Sequence, residues 1–203
     1  MKLMYQPHRA KIMNLVSAFA FFVTLTLNAL ANLLPINGLQ TGQISDTYAN
    51  YFAPASITFS IWGLIYASLA VYVAWRLRYF NQASDTPENR HLFKIDALFT
   101  ITSLANGGWI IAWHYLQFPL SLLLMVILLA ALIIINLAFK GDRGIQTIPF
   151  RLYFGWITVA IVANVTTMIV ADANQYRWIW NGGEVSQQLM TVIILFVTIA
   201  IGN

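Results

Sequence analysis

The side chains best placed to do something in this sequence are tryptophan, tyrosine and asparagine, set at helical spacing inside long apolar stretches. Trp62 and Tyr66 are four residues apart and share one face of a helix. Asn106 and Trp109 share another face, three apart. Trp156, Ala160 and Asn164 form a line at steps of four. If these three stripes converge, they line an apolar pocket with a few hydrogen-bonding groups. Such a pocket suits a flat hydrophobic ligand, with aromatic rings stacking on it and Asn amides orienting it. Packing alone is the competing account. Asn106 and Asn164 also suit bonds between helices, each worth about 0.6 kcal/mol on average in a membrane. Gly107 and Gly108, beside Asn106, suit close helix approach.

Other chemistry finds little support. There is no cysteine, so disulfides and thiolate metal sites are excluded. The histidines are His8, His91 and His114. The first two fall on the opposite side from the third, so no haem or zinc site is expected, and His114 reads as an interfacial polar residue. No pairing of a nucleophile with a base is visible. Asp96 and Asp172 are expected at helix ends within reach of water, which leaves the middle of every span uncharged. Ion-coupled transport normally uses a buried acid or base, so a pump or antiporter is disfavoured.

The elements that must position these side chains are membrane helices. Hydrophobic residues make up 59% of the chain and charged residues 9%, whereas a soluble domain carries roughly a quarter charged residues. Continuous apolar segments run over 13–34, 55–75, 95–115, 119–139 and 150–171, with a sixth over 188–203. Each of the first five is long enough to span a bilayer. The first has no small-residue cleavage site and reads as a retained helix. The sixth is still apolar at Asn203 and reads as a helix cut short. Outer-membrane strands would alternate apolar and polar residues instead. Residues 1–12 precede the five-helix core at 13–171, and 172–187 form a loop before the last segment. Pro119 follows the third segment so closely that the third and fourth must form a tight antiparallel hairpin. The one long loop, residues 35–54, has the character of a lid over a site. No internal repeat supports an inverted-repeat transporter.

Charge sets the orientation. Lys2, Arg9 and Lys11 precede the first segment, Arg76, Arg78, Arg90 and Lys94 lie between the second and third, and Lys140, Arg143 and Arg151 lie between the fourth and fifth. These are alternate loops and hence one face, cytoplasmic by the positive-inside rule. The other face has only Arg177. The net charge of +4 is therefore a topology signal, and no nucleic acid is expected as a partner. Trp75, Tyr79 and Phe80, and Tyr176, Trp178 and Trp180, fall where aromatic belts form at the interfaces.

The spacing of the stripes resembles the translocator protein family, also called tryptophan-rich sensory proteins or peripheral-type benzodiazepine receptors. In that family the second helix has a proline-rich approach, then a Trp and a Tyr four residues later; Pro54, Trp62 and Tyr66 hold those places. The third has a Leu-Asn-x-x-Trp pattern followed by two aromatics; Ala105-Asn106-Gly107-Gly108-Trp109 is similar, with Trp113 and His114 in the aromatic places. The fifth has Pro-Tyr-x-x-Trp, then Ala and Asn at steps of four; Leu152-Tyr153 precedes Trp156, Ala160 and Asn164. Ala53 and Leu152 replace family prolines, and the sixth segment lies outside the five-helix plan. The chain thus resembles a divergent, extended branch.

The sequence therefore predicts an all-α integral membrane protein: a five-helix translocator-protein-like bundle plus a sixth transmembrane helix. The resemblance implies a receptor or sensor for a porphyrin, another tetrapyrrole or a sterol-like lipid. The pocket would be lined by Trp62, Tyr66, Asn106, Trp109, Trp156, Ala160 and Asn164, approached past Pro54 and covered by residues 35–54. No cofactor is required, although a porphyrin or haem-type ligand is implied. The expected partners are that ligand, membrane lipids and a second copy in a homodimer. The expected location is the plasma (inner) membrane, crossed several times, with a cytoplasmic N-terminus. The resemblance also implies, weakly, a light-dependent porphyrin degradation centred on Trp62 and Trp156; otherwise no enzyme is expected. The alternatives are a small permease for a hydrophobic or zwitterionic solute and a structural subunit of a membrane complex.

Overall fold

The computed structural model describes residues 7–34, 36–50, 52–78, 80 and 86–175. The sixth segment, Arg177 and the aromatic belt at residues 176–180 lie outside them. Among the described residues there are six α-helices: α1 (Pro7–Leu33), α2 (Thr41–Thr47), α3 (Ile61–Arg78), α4 (Pro87–His114), α5 (Phe118–Ala138) and α6 (Ile148–Gln175). All but α2 belong to stretches long and apolar enough to cross a membrane. The chain is a multi-pass, all-α membrane bundle, as the sequence predicts. The short helix α2 lies within the long loop.

Burial shows how the helices choose their neighbours. On α1 the buried positions include Asn14, Ser17, Phe21, Thr24, Asn28 and Ala31, at alternating steps of three and four, with Ala10 and Ala20 buried as well. Its exposed face carries Leu15, Phe19, Phe22, Leu30 and Leu33. Lipid solvates leucine as well as another helix does, so small and polar residues mark the contact. The α1 seam meets α4. Thr24 Oγ1 donates to Ser103 O at 2.7 Å, and a Cβ at Gly107 would lie 3.3 Å from both Leu27 and Thr24 side chains. Gly108 does the same service toward α5, where a Cβ would meet Leu124 at 3.3 Å. Both glycines serve helix packing.

The α4–α5 hairpin is as tight as Pro119 implies. Gln117 N bonds to Ala112 O at 2.8 Å and Leu116 N to Trp113 O at 3.1 Å. That pair of bonds is a Schellman closure of α4, whose usual glycine position is here Leu116, with φ 57°. A left-handed leucine costs roughly 1–2 kcal/mol.

One expectation is corrected at the other end of the bundle. Thr86 caps α4 by accepting a bond from Asn89 N, so the helix begins well before the apolar stretch does. Asp96 is consequently inside the helix and fully buried rather than at a wet end. Arg76, assigned to a loop, is in the last turn of α3 and 8% exposed. Its Nη2 reaches Asp96 Oδ2 at 2.5 Å, and its Nε reaches Oδ1 at 3.0 Å. Tyr72 Oη donates to the same carboxylate at 3.1 Å.

Candidate ligand-binding site

The three stripes converge. A small void within the bundle is lined by Pro54, Phe59, Trp62, Trp109, Trp113, Trp156, Ala160, Ala163 and Asn164. Each helix contributes by its register. Trp62 starts the inward face of α3, and Trp109 and Trp113 occupy one face of α4. Trp156, Ala160, Ala163 and Asn164 run down α6 at helical steps. The rings meet one another directly. Trp62 lies 5.5 Å from Trp109 and meets Trp156 edge-on at 6.1 Å. Trp109 stacks on Trp113 at 5.9 Å. Phe59 closes over Trp156 edge-on at 6.2 Å. The cavity volume left between them is about 10 Å³, close to the least that holds one water. In this form the aromatic side chains fill their own site.

Its polar chemistry is one-sided. The indole Nε1 atoms of Trp62, Trp109 and Trp156 are buried with no hydrogen-bond partner, and so is Asn164 Oδ1. Asn164 Nδ2 is used, donating to Ser121 Oγ of α5 at 2.6 Å. Most buried polar groups in proteins are partnered. Four of the eight unpartnered buried side-chain atoms among the described residues belong to residues that line this one void. None of the lining residues is charged.

Five of the seven predicted pocket residues line the void: Trp62, Trp109, Trp156, Ala160 and Asn164, joined by Pro54 on the approach. The other two lie behind it. Tyr66 stacks on Trp62 at 5.5 Å and 17° and donates its hydroxyl to Asn106 Oδ1 at 3.0 Å. Asn106 is fully buried. It also accepts from Asn28 Nδ2 at 2.9 Å and donates to Tyr153 Oη at 2.7 Å. This amide knots α1, α3, α4 and α6 together, which is the glue role. Phe59, Trp113 and Ala163 were not assigned to the pocket from the sequence. Ala163 and Phe59 carry no pattern that would single them out. Trp113 did, through its place four residues after Trp109.

The long loop is fastened beside this void. Trp113 Nε1 donates to Thr41 O at 3.1 Å. His114 Nε2 meets Thr41 Oγ1 and its Nδ1 meets Ile36 O, both at 3.1 Å. Asn37 Nδ2 donates to His114 O at 3.0 Å. His114 is thus a buried loop clasp rather than an interfacial residue. On the far side of α2 the loop rests on the approach to α3: a Cβ at Gly42 would lie 2.9 Å from Ser56 Cβ, and Ser56 Oγ donates to Asp46. Thr41→Val removes one side-chain bond and keeps the carbonyl that Trp113 uses. Backbone amides of residues 36–50 should then exchange hydrogen about fivefold faster, as loss of about 1 kcal/mol of local stability predicts. Unchanged exchange by mass spectrometry would show that the loop is held elsewhere.

Fold and site together define an α-helical multi-pass membrane protein whose bundle holds a small, partly open and uncharged void walled by tryptophans. A family model described as TSPO-like protein matches residues 14–203. The chain belongs to that family, the translocator proteins. No match was found among curated proteins or among solved structures.

Proposed function

We propose that this protein is a membrane receptor or sensor that binds a flat apolar ligand between α3, α4 and α6, of the porphyrin or sterol-like kind. One observation carries the reading: three buried indole N–H groups and one amide oxygen, all without partners, belong to residues around a single void. Leaving a buried donor unmet costs about 1–3 kcal/mol. A bound molecule that supplies acceptors recovers that cost, whereas a bundle built only for stability gains nothing by it. The closed cavity is too small for such a ligand, so binding requires the rings to part. The segment on the approach, residues 52–60, and helix α3 are the pieces that would give way. The N-terminus is cytoplasmic in this reading, because the basic residues gather at the ends of alternate connections. Asn106 belongs to the scaffold and not to the ligand.

The test is an equilibrium titration in lipid nanodiscs with mesoporphyrin IX dimethyl ester, read by tryptophan quenching. Saturable quenching is expected from the native protein. It should be largely lost in the Trp62→Ala, Trp156→Ala double variant. Binding of equal strength by that variant would remove the site from consideration.

A further inference from the structure

Helix α3 is fastened to the bundle very differently at its two ends. We infer that α3 is a lever: it pivots on a buried pin at Arg76 and Asp96, and the short helix α2 is the latch that keeps its other end in place. The lever is a property of the chain alone and does not rest on the binding reading.

The pin joins three helices. Arg76, in the last turn of α3, donates to Asp96 of α4 through Nε at 3.0 Å and Nη2 at 2.5 Å. Tyr72, one turn earlier, donates to the same carboxylate at 3.1 Å. Its ring meets Phe99 of α4 edge-on at 5.5 Å and Phe150 of α6 edge-on at 4.7 Å. Arg76, Asp96 and Tyr72 are all buried. Parting the two charges inside the bundle would leave each uncompensated, which costs far more than parting a neutral pair. This end of α3 can rotate but not leave.

Toward the other end the polar ties run out. Tyr66 makes one bond, to Asn106. Beyond it, among the described residues, no side chain of α3 hydrogen-bonds to another helix. Trp62 meets Trp109 and Trp156 through its ring, and its Nε1 has no partner. Beside it, a Cβ at Gly63 would meet nothing within 4 Å. Apolar contact is not directional, so such a surface can slide.

What fastens that end is α2. On one side the Thr41 carbonyl accepts from Trp113 Nε1 of α4, and the Thr41 hydroxyl meets His114 Nε2, both at 3.1 Å. On the other side α2 bears on the turn that leads into α3. There a Cβ at Gly42 would lie 2.9 Å from Ser56 Cβ, and Asp46 accepts from Ser56 Oγ. The short helix therefore bridges the end of α4 to the root of α3. Gly63 is thirteen residues from Arg76, about 20 Å along the helix. A tilt of about 15°, the size of known rigid-body transitions, would carry it about 5 Å while Arg76 stays in place.

The chain has no cysteine, so introduced pairs of spin labels report the tilt directly. Gly63→Cys with Leu120→Cys spans α3 and α5 at the latch. Leu77→Cys with Leu137→Cys spans the same helices at the pin. All four positions are exposed. Distances are read by double electron–electron resonance in nanodiscs, and each pair should give one main distance in the otherwise native chain. Thr41→Val with Asp46→Ala unfastens α2 on both sides. The Gly63 pair should then gain a second distance shifted by about 5 Å, while the Leu77 pair stays unchanged. Arg76→Met with Asp96→Leu removes the pin without stranding a charge and should broaden the Leu77 pair. A Gly63 pair unmoved by loss of the latch overturns the inference. So does equal movement of both pairs, which would mean that α3 slides as a whole, and so does a Leu77 pair unmoved by loss of the pin. In each case the binding reading still stands, because no ligand is present. Should the pin variant not fold, the latch variant read at both pairs decides alone.

Discussion

Asp96→Ala should cost about 3–5 kcal/mol of stability, the largest loss from any single polar substitution in the bundle. The reason is what it leaves behind. Asp96 is fully buried and Arg76 nearly so, and both lie within membrane-spanning helices. The carboxylate accepts from Arg76 Nε and Nη2 and from Tyr72 Oη. Removing it strands a guanidinium where water and counter-ions are scarce, and it frees the Tyr72 hydroxyl as well. The pair itself need not be strongly stabilising, because burying two charges is costly to begin with. Replacing both members with apolar residues, as in Arg76→Met with Asp96→Leu, should therefore recover most of the loss. Unfolding in a fixed detergent under increasing denaturant measures both. A double variant as unstable as Asp96→Ala would show that the charges matter for something other than each other.

Asn106→Leu comes next, at about 2–4 kcal/mol. Its amide serves Tyr66, Tyr153 and Asn28 at once, and unsatisfied buried groups cost about 1–3 kcal/mol apiece. Partial relaxation within the membrane keeps the sum below the simple total. Asn164→Leu breaks one interhelical bond, to Ser121, and should cost only about 0.6 kcal/mol. The two asparagines look alike in the sequence, each on a stripe with a tryptophan, and this contrast tells them apart. The same denaturant series compares them. Equal losses would mean that the four-residue knot around Asn106 is weaker than its geometry implies.

What the sequence reveals and what it hides follow physical lines. The spans are legible because a run of about twenty apolar residues fits little besides a bilayer crossing. Trp62, Trp109 and Trp156 are legible because a face repeats every three or four residues. The same periodicity cannot say which neighbour that face meets, so it assigns Asn106 to the pocket when the residue sits in the knot behind it. The α1 seam from Asn14 to Ala31 stays hidden for a related reason. Its spacing is regular, but polar residues on a membrane helix become meaningful only once a partner helix is known. Asp96 is misplaced because hydropathy marks where lipid begins, whereas the helix begins earlier, at its Thr86 cap. Its pairing with Arg76 joins two different helices, and no local pattern encodes that. The loop clasp at His114 depends on contacts more than seventy residues apart in sequence.

The leucine forced into a left-handed turn at position 116 has a mechanical result. With that corner closed by two backbone bonds, α4 and α5 have no slack between them. They form the stationary jaw of a clamp. The other jaw is α3, whose most apolar stretch is 28% buried against 61% for α4, and which hangs from the short turn of 3-10 helix at Ser56–Ser60. On the proposed binding reading, a ligand that spreads the tryptophans apart should do so by swinging the looser jaw.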